Sequence, residues 1–192
     1  MTKIKRVLIS VSDKTGIIDF ARELSKLGIE IIATNGTLKF LEKGGIKFVK
    51  PVSDVTNFPE ILDGRVKTMH PKLIGGILAL RDKKEHMNEL KQLGITPIDM
   101  VVCNLPSFEK ARSLEATLEK IDIGGPNLIR AAAKNFENVV VIANPRRYGQ
   151  VLEELKKKDD VSIQTRFVLA KEAFKETTRY DRIIYKFLEN IL

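Results

Sequence analysis

The sequence predicts an α/β domain built on a parallel sheet of five or six strands. Three features carry the prediction. Short apolar runs alternate with segments of helical spacing, glycines fall where helices should stop, and 192 residues with 43% hydrophobic content can bury one full core. Val7 to Ser12 reads as a buried strand, and Gly16 to Leu27 as a helix carrying Ile17, Phe20, Ala21, Leu24 and Leu27 on one face before Gly28 ends it. Glu30 to Ala33 is the second strand, Leu38 to Lys43 a short helix stopped by Gly44-Gly45, and Lys47 to Val49 a third strand ending before Pro51. This is the rhythm of βαβ units. Gly76 to Leu80 and Asp99 to Leu105 read as strands flanking a helix near Glu85 to Leu93, and Val139 to Ile142 as the last strand before a helix from Tyr148 to Lys157. From Gln164 to Leu192 a broken apolar stripe of Phe167, Ala170, Phe174, Thr177, Ile184 and Phe187 predicts a helical tail packed on the domain. One domain is therefore expected, with an α/β core over 1–160 and a C-terminal helical extension over 161–192.

Composition narrows the function classes. A single cysteine, Cys103, rules out an intramolecular disulfide framework and fits a reducing compartment, so a cytoplasmic protein is expected. The start, Met1-Thr-Lys-Ile-Lys-Arg, lacks an apolar signal core, and no apolar segment nears the ~20 residues that span a bilayer, so neither export nor a membrane is expected. A net charge of +8 suits anions. Lysines interleaved with glutamates, no tryptophan and no regular aromatic spacing argue against nucleic acid.

In an open parallel sheet the ligand lies beyond the C-terminal strand ends, so the segments that follow strands are the candidate site. Ser12-Asp13-Lys14-Thr15-Gly16 opens a helix whose free N–H groups can receive an anion, or else Ser12 or Asp13 caps it. Thr34-Asn35-Gly36-Thr37 is a small polar turn with the composition of an anion nest. Asp63-Gly64-Arg65-Val66-Lys67-Thr68-Met69-His70-Pro71 crowds two cations and a hydroxyl, with Arg65 able to fork phosphate oxygens and His70 read as a structural loop residue. Asn104, ending a buried strand, can donate and accept at once, as reading a carboxamide requires, and Cys103 beside it reads as a small apolar strand residue. Ile121-Asp122-Ile123-Gly124-Gly125-Pro126 leads into a helix expected to start near Pro126, in which three alanines precede Lys134 and could desolvate it.

In their order, Ser-Val-Ser-Asp-Lys-Thr-Gly, Asp-Gly-Arg-Val-Lys-Thr-Met-His-Pro-Lys, Gly-Gly-Ile-Leu-Ala, Ile-Asp-Ile-Gly-Gly-Pro and Arg-Ala-Ala-Ala-Lys-Asn resemble the IMP cyclohydrolase domain of the bifunctional purine biosynthesis protein PurH. The resemblance runs from Val7 to the end and includes Leu169-Ala-Lys-Glu-Ala-Phe and Tyr180-Asp. It implies a three-layer α/β/α fold of the methylglyoxal synthase type with five parallel strands, and ring closure of 5-formamidoimidazole-4-carboxamide ribotide (FAICAR) to IMP and water. No metal or organic cofactor is implied. A homodimer is, together with a formyltransferase that supplies FAICAR; its domain is absent from this chain, and its activity is not expected here.

The resemblance further implies ligand contacts from Ser12, Asp13 and Lys14, from Thr34, Asn35, Gly36 and Thr37, from Arg65, Val66, Lys67 and Thr68, from Cys103 and Asn104, and from Asp122, Ile123 and Gly124. Lys134 is implied as the proton-transfer residue; the chemistry of ring closure adds the expectation that Asp122 polarises or deprotonates the carboxamide and that Lys67 or backbone amides steady the oxyanion. Two positions depart from the family. Asn35 stands where glycine is usual, which asparagine can imitate at positive φ. Pro106 in Asn104-Leu-Pro-Ser-Phe108 stands where the family has an active-site tyrosine. There are two rival readings, methylglyoxal synthase and a non-catalytic nucleotide-sensing domain; the scarcity of histidine and the purine motifs weigh against the first, while the presence of Asp122 and Lys134 weighs against the second and Pro106 in its favour.

Overall fold

The alternation of apolar runs and amphipathic segments is realised in a computed structural model that describes residues 3–191. Met1 and Thr2 of the basic start and Leu192 of the expected helical tail lie outside the described residues. The chain runs β1 (Arg6–Val11), α1 (Ile17–Lys26), β2 (Glu30–Ala33), α2 (Asn35–Lys43), β3 (Val49–Pro51), α3 (Val52–Thr56), α4 (Pro71–Leu78), α5 (Lys84–Gln92) and β4 (Met100–Asn104). It continues through α6 (Leu114–Leu118), α7 (Gly124–Lys134), β5 (Val140–Ile142), α8 (Tyr148–Lys158) and α9 (Ile163–Glu189).

The five strands form one parallel sheet in the order β3-β2-β1-β4-β5. Its central strands are apolar on both faces, with Val7, Leu8, Ile9, Met100 and Val101 fully buried, as a sheet covered on both sides requires. Contacts link α1 to α2 and α8, and separately link α3 to α4, α4 to α7 and α7 to α9, which gives one helical layer on each face. The strand order reverses between β1 and β4, whose register sets Val11 opposite Asn104. A crevice opens at such a reversal, beyond the carboxyl ends of the strands.

Local chemistry explains where the helices stop. Gly28 (φ 72°) and Gly45 (φ 78°) take the left-handed conformation just past α1 and α2, and Gly28 N donates to Ser25 O while Ile29 N donates to Leu24 O. That pair of bonds closes the helix and turns the chain straight into β2.

Three expectations are corrected. Gly76 to Leu80 is not a strand, because Gly76, Ile77 and Leu78 belong to α4, which starts at Pro71 with His70 as its cap (Nδ1 accepts from Lys72 N at 3.2 Å). A short apolar run has no periodicity of its own, and the proline at the first helical position decides it. The helix expected near Pro126 begins two residues earlier, at Gly124. In α9 the inward face is Leu169, Ala170, Ala173, Thr177 and Tyr180, whereas Phe167 and Phe174 lie largely outside, edge-on to Phe136 and beneath Arg130 respectively. Large aromatics dominate a hydrophobicity count, but the close contact of α9 with α7 favours small residues at the seam.

Candidate active site

A cleft of about 800 Å³ lies at the reversal point, walled by Ser10–Ser12 and Lys14 after β1, Thr34–Thr37 at the start of α2, the 62–69 loop, Asn104 and Pro106 after β4, and residues 118–125. The wall following β1 is held by Asn104. Its Oδ1 accepts from Ser12 N at 2.7 Å and Asp13 N at 2.9 Å, and its Nδ2 donates to Asp13 O at 2.9 Å. Expected as a reader of the ligand, Asn104 thus spends both ends of its amide bracing the loop that ligands would meet.

Lys14 leans back over the strand ends, donating to Thr37 Oγ1 at 3.1 Å and to the Val11 carbonyl. Its partial burial lowers the pKa of its ammonium. Thr37 is buried, its hydroxyl donating to Val11 O and accepting from Val11 N and Lys14, so it organises the floor. Thr34 precedes α2 without capping it; its hydroxyl donates to Ser10 Oγ at 3.2 Å. The first N–H groups of α2, at Asn35 and Gly36, are thereby left uncapped at the cleft. Asn35 is the first residue of this helix and has no positive φ, so the side chain replaces glycine with no backbone demand.

The opposite wall carries charge of both signs. Lys67 is exposed and makes no ion pair among the described residues, whereas Arg65 is paired with Glu119 through Nε at 3.0 Å and through Nη2. That pairing raises the Arg65 pKa and lowers that of Glu119. Asp122 is half-buried; its Oδ1 accepts from Gly125 N at 3.1 Å, and its own N–H donates to the buried Tyr180 hydroxyl at 2.8 Å. Burial, the largest cause, and the nearby Asp122 charge both push the Tyr180 hydroxyl pKa up. Thr68 packs so closely on Gly124 that a Cβ there would sit 2.5 Å from its hydroxyl, which explains a glycine where α7 meets the cleft.

Of the residues expected at the site, Ser12, Lys14, Thr34, Asn35, Gly36, Thr37, Arg65, Val66, Lys67, Thr68, Asn104, Asp122, Ile123 and Gly124 line one cleft. Three do not. Asp13 turns outward and caps its own loop, its carboxylate accepting from Thr15 N at 2.9 Å, which lowers its pKa. Cys103 is buried with Sγ 3.8 Å from Gly125 O, and burial together with the Asp122 charge keeps its thiol protonated. Lys134 is exposed at the last turn of α7, whose first turn carries Gly124 and Gly125. Ten residues of helix put it about 15 Å along the axis from the cleft. The sequence reading missed Glu119 and Tyr180, whose partners lie 54 and 58 residues away. Among the described residues no cluster of three His, Cys, Asp or Glu side chains could hold a metal.

Comparison with known proteins gives this geometry a family. Residues 16–127 match the MGS-like domain, and residues 132–191 match the AICARFT/IMPCHase bienzyme. The chain is 55% identical over 190 residues to the bifunctional purine biosynthesis protein PurH of Acetivibrio thermocellus, covering 96% of this chain and 37% of that protein. PurH of Bacillus subtilis is 46% identical over 194 residues, with 98% and 38% covered. The chain thus spans little more than a third of the length of these relatives. The crystal structure of ForH superposes with a TM-score of 0.87 at 34% identity, covering 96% of this chain and 98% of that one. The cleft at the β1/β4 reversal and a match running through most of the sheet agree, and the chain belongs to the MGS-like domain family.

Proposed function

We propose that this chain is an IMP cyclohydrolase that closes the second ring of a purine, converting FAICAR to IMP and water. The observation that carries the reading is one cleft that has Lys67 and Asp122 on one wall and Lys14 with the uncapped start of α2 on the other. One end suits a phosphate and the other suits proton transfer. The match of residues 132–191 to the AICARFT/IMPCHase bienzyme, and relatives named as purine biosynthesis proteins, support the same reading.

In the reaction, the carboxamide nitrogen attacks the formyl carbon of the same molecule. A C–N bond forms as the carboxamide nitrogen loses a proton and the formyl oxygen takes up negative charge and then a proton; the formamide nitrogen next gives up its proton as a C=N bond forms, the hydroxyl takes a second proton, and the C–O bond breaks as water leaves. Lys14 and the first amides of α2 hold the phosphate, so that the two reacting groups are folded against each other. Asp122 accepts the amide proton, and Lys67 stabilises the oxyanion. A proton-transfer role of this kind contributes ~10²- to 10⁴-fold. Ser12, Val66, Thr68, Ile123 and Gly124 shape the remaining wall.

Lys134 cannot act from within its own chain, so its proton-transfer role requires a second copy that brings the C-terminal end of its α7 to the cleft. The protein is accordingly a homodimer that shares its sites. It works in the cytoplasm on FAICAR released by an AICAR formyltransferase; no helix of the described residues is long and apolar enough to cross a membrane.

The test is IMP formation from FAICAR in metal-free buffer, followed by chromatography. Wild type is expected to convert it rapidly, and Lys67→Ala and Asp122→Asn to lose at least tenfold in kcat. Near-wild-type turnover in both variants would remove the assigned roles. Pro106, which lines the cleft where the family tyrosine is expected, favours one rival, a nucleotide-sensing domain. IMP binding without turnover would establish that rival.

A further inference from the structure

The wall that carries Lys67 has few attachments. Leu62, Asp63 and Gly64 take successive left-handed conformations (φ 54°, 53° and 88°), which the first two, as L-residues with a side chain, adopt at a cost. Backbone bonds within the loop close it on itself, with Ile61 N donating to Val66 O at 3.2 Å, Val66 N to Ile61 O at 3.3 Å and Arg65 N to Leu62 O at 3.0 Å. Among the described residues, the fork from Arg65 to Glu119 is the only side-chain hydrogen bond that leaves the 59–67 segment. It joins a point two residues before Lys67 to a point three residues before Asp122.

We infer that Arg65 and Glu119 are positioning residues that set the separation of Lys67 from Asp122, and that Arg65 is not a phosphate ligand. The proposal rests on the cyclohydrolase reading for its kinetic consequence. The Nε and Nη2 donors of Arg65 that face Glu119 are filled, so a phosphate would meet only the remaining Nη hydrogens, beside a carboxylate that repels it. An anion finds unpaired donors on the facing wall, at the start of α2. Lys67 has no ion pair of its own among the described residues, so its position follows from the loop. The pair is exposed, with the side chains of Arg65 and Glu119 at 65% and 52% of full accessibility, so its strength is modest and screened by salt.

Four proteins decide it: wild type, Glu119→Gln, Arg65→Gln, and the exchanged pair Glu119→Arg with Arg65→Glu. Amide hydrogen exchange of residues 61–66 without substrate reads the clamp itself, and kcat and KM for FAICAR read its effect on chemistry. Each single variant should exchange about fivefold faster, the worth of a well-formed exposed ion pair, and lose a similar factor in kcat with KM little changed. The exchanged pair should restore both. Added KCl should lower kcat in wild type and leave Glu119→Gln unaffected. Tighter FAICAR binding by Glu119→Gln at unchanged kcat would overturn the proposal, because it would mean that an arginine freed from Glu119 serves the phosphate. Failure of the exchanged pair to restore protection would overturn it equally. Should wild type form no IMP, the cyclohydrolase reading falls, while hydrogen exchange still decides the clamp.

Discussion

Lys14 shows how a single residue couples stability to ligand binding. Its ammonium is partly desolvated against Val11 O and Thr37 Oγ1, and its pKa is lowered. Between that lowered value and the ordinary value of 10.5, the unfolded chain binds more protons than the native one, so Lys14 makes stability rise as pH rises through that window. Below the window its desolvation is a constant cost. A bound phosphate favours the charged form and reverses the shift, so ligand affinity falls as pH rises through the same range. Lys14→Met should remove the alkaline rise in Tm and weaken binding of a ribose phosphate at least tenfold, as loss of a charge-assisted contact implies; melting curves at several pH values and a titration check both. The sequence marked Lys14 because it follows a strand, and Lys67 and Asp122 because they stand in motifs of cations and of turn glycines. It could not mark Glu119 or Tyr180 as their supports, since a side chain's partner across 54 or 58 residues is set by packing and not by local pattern.

At the scale of elements, α4 shows a helix specified against its own apolar pattern. Gly76 has Thr96 O 2.8 Å from the place a Cβ would occupy, and Ile98 N donates to Gly76 O at 3.0 Å. In an exposed helix, glycine to alanine gains up to about 1 kcal/mol. Here a backbone oxygen cannot move aside, and overpacking of this kind costs about 1–3 kcal/mol. Gly76→Ala should therefore destabilise the fold, lowering the urea midpoint without changing the slope. The strands and most helices were legible because alternating apolar runs and terminal glycines are local signals. Gly76 to Leu80 was misread because a short apolar run has no period of its own, and the signal for the helix, Pro71 at its first position, stands ahead of that run. The inner face of α9 was misread because alanines and Tyr180 are buried there, while the larger phenylalanines Phe167 and Phe174 are left at the margin.

For the whole molecule, the decisive fact is the placement of Lys134 at the far end of α7 from the cleft. If two copies share their sites, Lys134→Ala and Lys67→Ala are each inactive as pure proteins, whereas subunits mixed by denaturation and refolding should recover activity. In the mixed dimer one site draws Lys67 from one chain and Lys134 from the other, and both are intact. No recovery, with dimers shown to have exchanged, would remove Lys134 from the mechanism. The sequence by itself determined the α/β class and the order of the five strands, with one false strand added and the third displaced by two residues (Val49–Pro51 in place of Lys47 to Val49), because periodicity and turn chemistry act over a few residues. Only the tertiary structure decided that the candidate loops converge at the β1/β4 reversal, that Asn104 and Thr37 spend their polar atoms on the scaffold, and that Arg65 is held by Glu119. Those outcomes depend on which side chains meet once both faces of the sheet are covered, and burial makes that choice over the whole chain at once.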